Sequence, residues 1–126
     1  MSKSSLRTAQ LQKALVRLED ALAQPKDSFM RDSSIQRFEF TADLSWKALQ
    51  SVLEERFGIT ANAPKTAVRL AHENGLIADV SSWLAMIDDR NLTSHSYDEA
   101  VAEQIYMQLP RYAALVHTLL DSIESK

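Results

Sequence analysis

Apolar residues recur along this chain at helical spacing, and turn-forming residues divide them into five segments. Leu11, Leu15, Leu18 and Leu22 are separated by four, three and four residues, which lines one face of a helix from roughly Ser5 to Ala23. Pro25 and the polar run Lys26-Asp27-Ser28 end that pattern, because proline lacks the amide donor a helix interior needs and disfavours a helical residue before it. The longest pattern runs from Ser33 or Ser34 to Phe57, with Ile35, Phe38, Ala42, Leu49, Val52 and Leu53 on one stripe, Trp46 beside it and Gly58 closing it. A third helix is predicted from Pro64, whose fixed φ suits a first turn, to just before Gly75, with Leu76 folding over that glycine cap. The fourth, from about Asp79, carries Val80, Trp83, Leu84 and Ile87. The last starts near Ser96 or Asp98, where Ser96-Tyr97-Asp98-Glu99 has the form of a capping box, and runs toward Ser125 with a kink or division at Pro110.

Strand-like alternation, internal repeats and low-complexity tracts are missing from the sequence. The expected fold is therefore all-α: an up-and-down antiparallel bundle of about five helices, with residues 1–126 as a single helical domain. Composition agrees, since 45% of the residues are hydrophobic, 25% are charged, and only two glycines and three prolines occur.

The chain has no cysteine, which excludes disulfides, thiolate nucleophiles and thiolate-ligated zinc or iron–sulfur sites. Met1 to Leu18 lacks the apolar run of a signal peptide or membrane span, so a cytoplasmic protein with no membrane association is expected. The net charge of −3 conceals an asymmetry: residues 1–69 hold 11 Lys/Arg against 8 Asp/Glu, and residues 70–126 hold 3 against 9. Broad, sequence-independent nucleic-acid binding draws on a basic face and counterion release. Any RNA would have to be gripped locally here, or by an assembly.

Of the histidines at positions 72, 95 and 117, only His95 lies in a cluster with a cation, an amide, a hydroxyl and a phenol, within Arg90-Asn91-Leu92-Thr93-Ser94-His95-Ser96-Tyr97. Five residues of ideal helix turn through about 500°, which leaves Arg90 and His95 about 140° apart. They converge only if the helix ends near Ser94 or if two subunits share a cleft. Arginine plus histidine without a metal suits transesterification of RNA. The imidazole moves a proton of the 2′-hydroxyl, the guanidinium holds charge on phosphate oxygens, and the products are a 2′,3′-cyclic phosphate and a 5′-hydroxyl. Asn91 is placed to support either group, and Tyr97 to orient His95 or to be modified. The alternative is structural: Arg90 pairs with Asp88 or Asp89 at a helix end, and His95 serves as a capping donor.

Elsewhere, Asp88 and Asp89 point about 100° apart on a helix and have no histidine at ligand spacing, so no metal site is expected. Gly58 and Gly75 are isolated and form no phosphate loop. His72 and His117 read as surface or interface residues, and Trp46 and Trp83 as core or subunit contacts. The acceptor-like Asn91-Leu92-Thr93 is accidental in a cytoplasmic protein.

Arg37-Phe38-Glu39-Phe40-Thr41 with Trp46-Lys47, then Ala63-Pro64-Lys65, Gly75-Leu76-Ile77, Trp83, and Arg90-Asn91 to His95-Ser96-Tyr97-Asp98 together resemble the HEPN superfamily, in its HepT-like and nucleotidyltransferase substrate-binding form. That family's signature is Arg, four residues, His, one residue, Tyr, and Arg90, His95 and Tyr97 fill it. Ala63-Pro64-Lys65 departs from the usual Ser-Pro-Arg, losing a cap and replacing a guanidinium by an ammonium. The resemblance implies a homodimeric bundle partnered by a minimal nucleotidyltransferase. It also implies a metal-independent endoribonuclease toxin without a cofactor, with Arg90 and His95 catalytic, silenced when the partner adenylylates Tyr97. The other role it implies is a non-catalytic substrate- or nucleotide-binding subunit of a two-component nucleotidyltransferase.

Overall fold

The computed structural model describes residues 2–124 and is helical almost throughout. Helix α1 spans Lys3–Leu22, α2 Ser28–Phe57, α3 Pro64–Glu73, α4 Val80–Leu92 and α5 Glu99–Glu124, with a single 3-10 turn at Thr93–His95 between the last two. Among the described residues there is no strand, and no helix is long and apolar enough to cross a membrane. The elements form the expected up-and-down bundle, in which α1 lies along α2 while α5 packs against both and α3 and α4 close the remaining side.

The apolar stripes read from the sequence are the faces that meet. Leu11, Leu15 and Leu18 of α1 enter one core with Ile35, Phe38, Ala42, Leu49, Val52 and Leu53 of α2, Trp83 and Ile87 of α4, and Ile105, Leu109 and Val116 of α5. Trp46 packs at the edge of that core and Trp83 is buried within it, whereas His72 and His117 are exposed. Four hydroxyl residues of α2 are buried as well, and each returns its proton to the carbonyl four residues earlier: Ser34 to Met30, Thr41 to Arg37, Ser45 to Thr41 and Ser51 to Lys47. These four hydroxyls are thus satisfied within their own helix, whereas the buried Thr8 hydroxyl of α1 has no hydrogen-bond partner among the described residues.

One boundary differs from expectation, and two alternatives left open in α5 are narrowed. Helix α2 starts at Ser28, not Ser33 or Ser34, because Asp27 caps it by accepting a hydrogen bond from the Met30 amide at 2.7 Å. The polar run that reads as loop is itself the start signal. Helix α5 is capped by Asp98, whose carboxylate accepts from the amides of Ala100 at 2.9 Å and Val101 at 3.2 Å, and not by a box starting at Ser96. Pro110 neither divides nor ends α5, which continues to Glu124. The glycine stops behave as expected: Gly58 and Gly75 have φ of 66° and 78°, and the Leu76 amide donates back to Ala71 O while Leu76 buries itself.

Candidate functional site

Helix α4 delivers the motif to the surface of the bundle and stops there. Asp79 caps its start, accepting from both the amide and the hydroxyl of Ser82, and those bonds hold the Asp79 carboxyl below the ordinary carboxylate range. At the other end the chain tightens from α-helix into the 3-10 turn Thr93–His95. Thr93 is buried in this turn and its hydroxyl donates to the Arg90 carbonyl at 2.7 Å. The Ser94 hydroxyl bonds the Asn91 carbonyl, and the amides of Ser96 and Asp98 bond the carbonyls of Thr93 and His95. The helix break near Ser94 that convergence requires within one chain is thus present.

Arg90 does not pair with either aspartate before it. Its Nε and Nη2 donate to the two carboxylate oxygens of Asp43, at 2.8 and 3.1 Å, in the fork geometry that guanidinium and carboxylate favour. Nη1 faces the Thr93 hydroxyl at 3.5 Å. The neighbouring acids are engaged elsewhere: Asp88 pairs with Lys65 at 2.5 Å, and Asp89 accepts from the Tyr112 hydroxyl at 2.5 Å. Tyr112 in turn stacks on Phe38, with ring centroids 5.4 Å apart. Burial, then the bond to Asp89, pushes the Tyr112 phenol well above its ordinary value. The Asp43 hydrogen bonds raise the pKa of Arg90, and Glu39, one turn earlier on α2, adds to this.

Residues 6–125 match the protein family described as nucleotidyltransferase substrate binding protein like. The chain belongs to that family. A probable ribonuclease HepT from Haemophilus influenzae is 35% identical over 97 residues, a stretch covering 74% of this chain and 66% of that protein. A crystal structure from Thermus thermophilus superposes with a TM-score of 0.84 at 42% identity, covering 88% of this chain and 96% of the other. A Haemophilus influenzae structure described as the fold of a substrate binding domain of a nucleotidyltransferase gives 0.71 at 30% identity, covering 96% of each chain. A mutant of the MntA–HepT toxin–antitoxin gives 0.81 over 98% of each chain, and at 13% identity this is a likeness of fold.

Within this substrate-binding-protein fold the structure separates Arg90 from the pair His95 and Tyr97, and leaves Asn91 apart from both. Arg90 is half-buried against α2, with 30% of its side chain exposed. His95 and Tyr97 lie outside on the turn, with His95 Nδ1 3.4 Å from the Tyr97 hydroxyl, ring centroids 6.0 Å apart and Tyr97 82% exposed. Asn91 is exposed on the last turn of α4, outside both sets of bonds. Among the described residues no group of three His, Asp or Glu side chains gathers as a metal site.

Asp43 is the residue that sequence reading missed. It lies 47 positions before its partner on another helix, so no local spacing links them. The one signal was the pair Glu39 and Asp43, two acids one turn apart at the border of the apolar stripe of α2. Like charges at that spacing repel unless a cation reaches them from elsewhere.

Proposed function

We propose that this protein is a metal-independent endoribonuclease of the toxin type, acting as a homodimer, in which Arg90 and His95 act on RNA. On this reading a minimal nucleotidyltransferase silences it by adenylylating Tyr97. The observation that carries the reading is the state of Arg90. Asp43 occupies two of the five N–H donors of the guanidinium and fixes its plane, a third reaches the Thr93 hydroxyl in the turn that leads to His95, and two are left on a side chain that is 30% exposed. A guanidinium oriented in this way is prepared to accept phosphate oxygens without first reorganising.

The 2′-oxygen forms its bond to phosphorus as the bond from phosphorus to the 5′-oxygen breaks. His95 takes the 2′-hydroxyl proton, Arg90 holds the charge on the phosphate oxygens, and the departing 5′-oxygen takes a proton from water. Asn91 supports this exposed edge. The 82% exposure of Tyr97 supports its role as acceptor, and its hydroxyl stands 3.4 Å from His95. An adenylyl group added there brings negative charge and bulk next to the imidazole, where an RNA phosphate would bind. The names of the HepT relative and of the toxin–antitoxin neighbour support the same reading.

The family description favours a second reading, a non-catalytic subunit that presents a substrate or nucleotide to a transferase. Incubating the purified protein with RNA in excess chelator distinguishes the two. The ribonuclease reading expects 2′,3′-cyclic phosphate ends, reduced at least a hundredfold by His95→Ala and by Arg90→Ala, in line with the loss of a proton-transfer or charge-stabilising group. Cleavage at full rate in both variants, or none by the unmodified protein, removes that reading.

A further inference from the structure

Of the eleven cations in residues 1–69, three form salt bridges among the described residues and eight do not, and three of those eight gather in one place. Lys26, Arg31 and Lys65 are matched to Glu103, Glu99 and Asp88 on later helices. Lys13, Arg17 and Arg37, by contrast, form no salt bridge among the described residues, and all three line one groove of about 440 Å³ between the outer sides of α1 and α2. Arg37 is steadied by donating Nη1 to the Arg17 carbonyl at 2.8 Å, which leaves its other donors for a ligand. Leu44 and Phe40 give the groove its apolar lining, and Phe40 is 54% exposed. It continues along α1 as a second depression that shares Lys13 and Arg17.

We infer that this groove binds the backbone of single-stranded RNA, with a base stacked on Phe40, and leads the strand to Arg90. Unpaired cations along a channel with an exposed aromatic ring are the two components of strand binding that does not depend on sequence, namely phosphate neutralisation and base stacking. The groove also adjoins the candidate site. On α2, Asp43 is three residues from Phe40, about 60° around the helix and about 4.5 Å along it. The α2 wall of the groove and the anchor of Arg90 are therefore neighbouring stripes of one helix. No acid is among the residues that line the groove. The choice of RNA as ligand rests on the ribonuclease reading, and the experiment separates the two.

The test measures fluorescence anisotropy of a labelled 2′-O-methyl single-stranded oligonucleotide, which lacks the attacking hydroxyl, on the full-length protein and on Lys13→Gln/Arg17→Gln and Phe40→Ala variants whose helical circular dichroism matches wild type. The double variant should bind at least tenfold more weakly, and its plot of log affinity against log salt should lose about 1.4 of slope, the value for two phosphate contacts on a single strand. Phe40→Ala should weaken binding about tenfold with the slope unchanged. Wild-type affinity and slope in the double variant would overturn the inference. So would a double variant that changes only sedimentation mass or transferase co-purification, since the groove would then be a protein interface. Cleavage of unmodified RNA is scored separately, so a protein that binds through the groove without cutting leaves the groove standing and removes the ribonuclease reading.

Discussion

Asp43 holds the guanidinium of Arg90 by two hydrogen bonds, yet both side chains are partly open to solvent, at 39% and 30%. A pair this exposed contributes little to stability, on the order of 0–1 kcal/mol, because water screens it and competes for its donors. Its value lies in orientation. Asp43→Asn keeps one acceptor and the shape of the side chain but loses the matched fork, so it should lower RNA cleavage about tenfold while changing unfolding free energy by less than about 1 kcal/mol. A double-mutant cycle locates the effect: on an Arg90→Ala background, Asp43→Asn should have no further influence on the rate. Equal tenfold losses on both backgrounds would show that Asp43 does not act through Arg90. At this scale the sequence disclosed the Arg90, His95 and Tyr97 set because the three lie within eight residues. It concealed Asp43 because the partner of a half-buried cation depends on how α4 sits against α2, and apolar periodicity leaves that register open.

Element boundaries were legible wherever a single residue type decides the backbone. Gly58 and Gly75 end helices because each takes a φ that costs other residues, and Pro64 begins one because its ring already has the helical φ. Competing signals were harder to read. Lys26-Asp27-Ser28 after Pro25 reads as loop and hides a cap, and Ser96 and Asp98 compete for the start of α5. In both places the aspartate caps the helix through its own carboxylate. Pro110 is the instructive case. It sits exposed in the middle of α5 and cannot donate to the Tyr106 carbonyl, yet the helix continues because Leu109, Tyr112 and Ala113 on either side are held in the core. Tertiary packing therefore overrides a local cost of about 3 kcal/mol relative to alanine, less up to about 1 kcal/mol for the unfolded-state freedom that proline removes. Pro110→Ala should restore the missing bond and raise stability by about 2–3 kcal/mol, read as a higher urea midpoint at unchanged slope. A lower midpoint would mean that α5 needs a bend at Pro110 to follow the bundle.

Across the whole molecule, the contrast between a basic first half and an acidic second half becomes a set of ties between distant helices. Arg31 is the central one. Its side chain is only 5% exposed at the start of α2, and its guanidinium donates to Glu99 at 2.6 and 3.1 Å and to Glu103 at 3.1 Å, both on the first turns of α5. This tie fixes where the chain leaves the turn bearing His95 and Tyr97. The Arg31 bonds hold the Glu99 carboxyl below the ordinary glutamate range, and Lys26, then Arg31, do the same for Glu103. A carboxylate whose folded pKa is depressed adds stability above its unfolded value of about 4.5, and loses it as pH falls through the folded value. Arg31→Met removes the partner while keeping an unbranched stem to fill the site, so it should be less stable than wild type at pH 7. The gap should narrow steadily as urea titrations move from pH 5 to pH 3, where both carboxylates take up protons whether or not arginine is present. Lys26 keeps part of the Glu103 depression in the variant, so the variant should retain a share of acid dependence from Glu103 that is lost in Arg31→Met/Glu103→Gln, while the share from Asp79 remains. A gap of constant size from pH 7 to pH 3 would assign the contribution of Arg31 to packing of its stem, and the charge asymmetry of the chain would then have no part in joining α2 to α5.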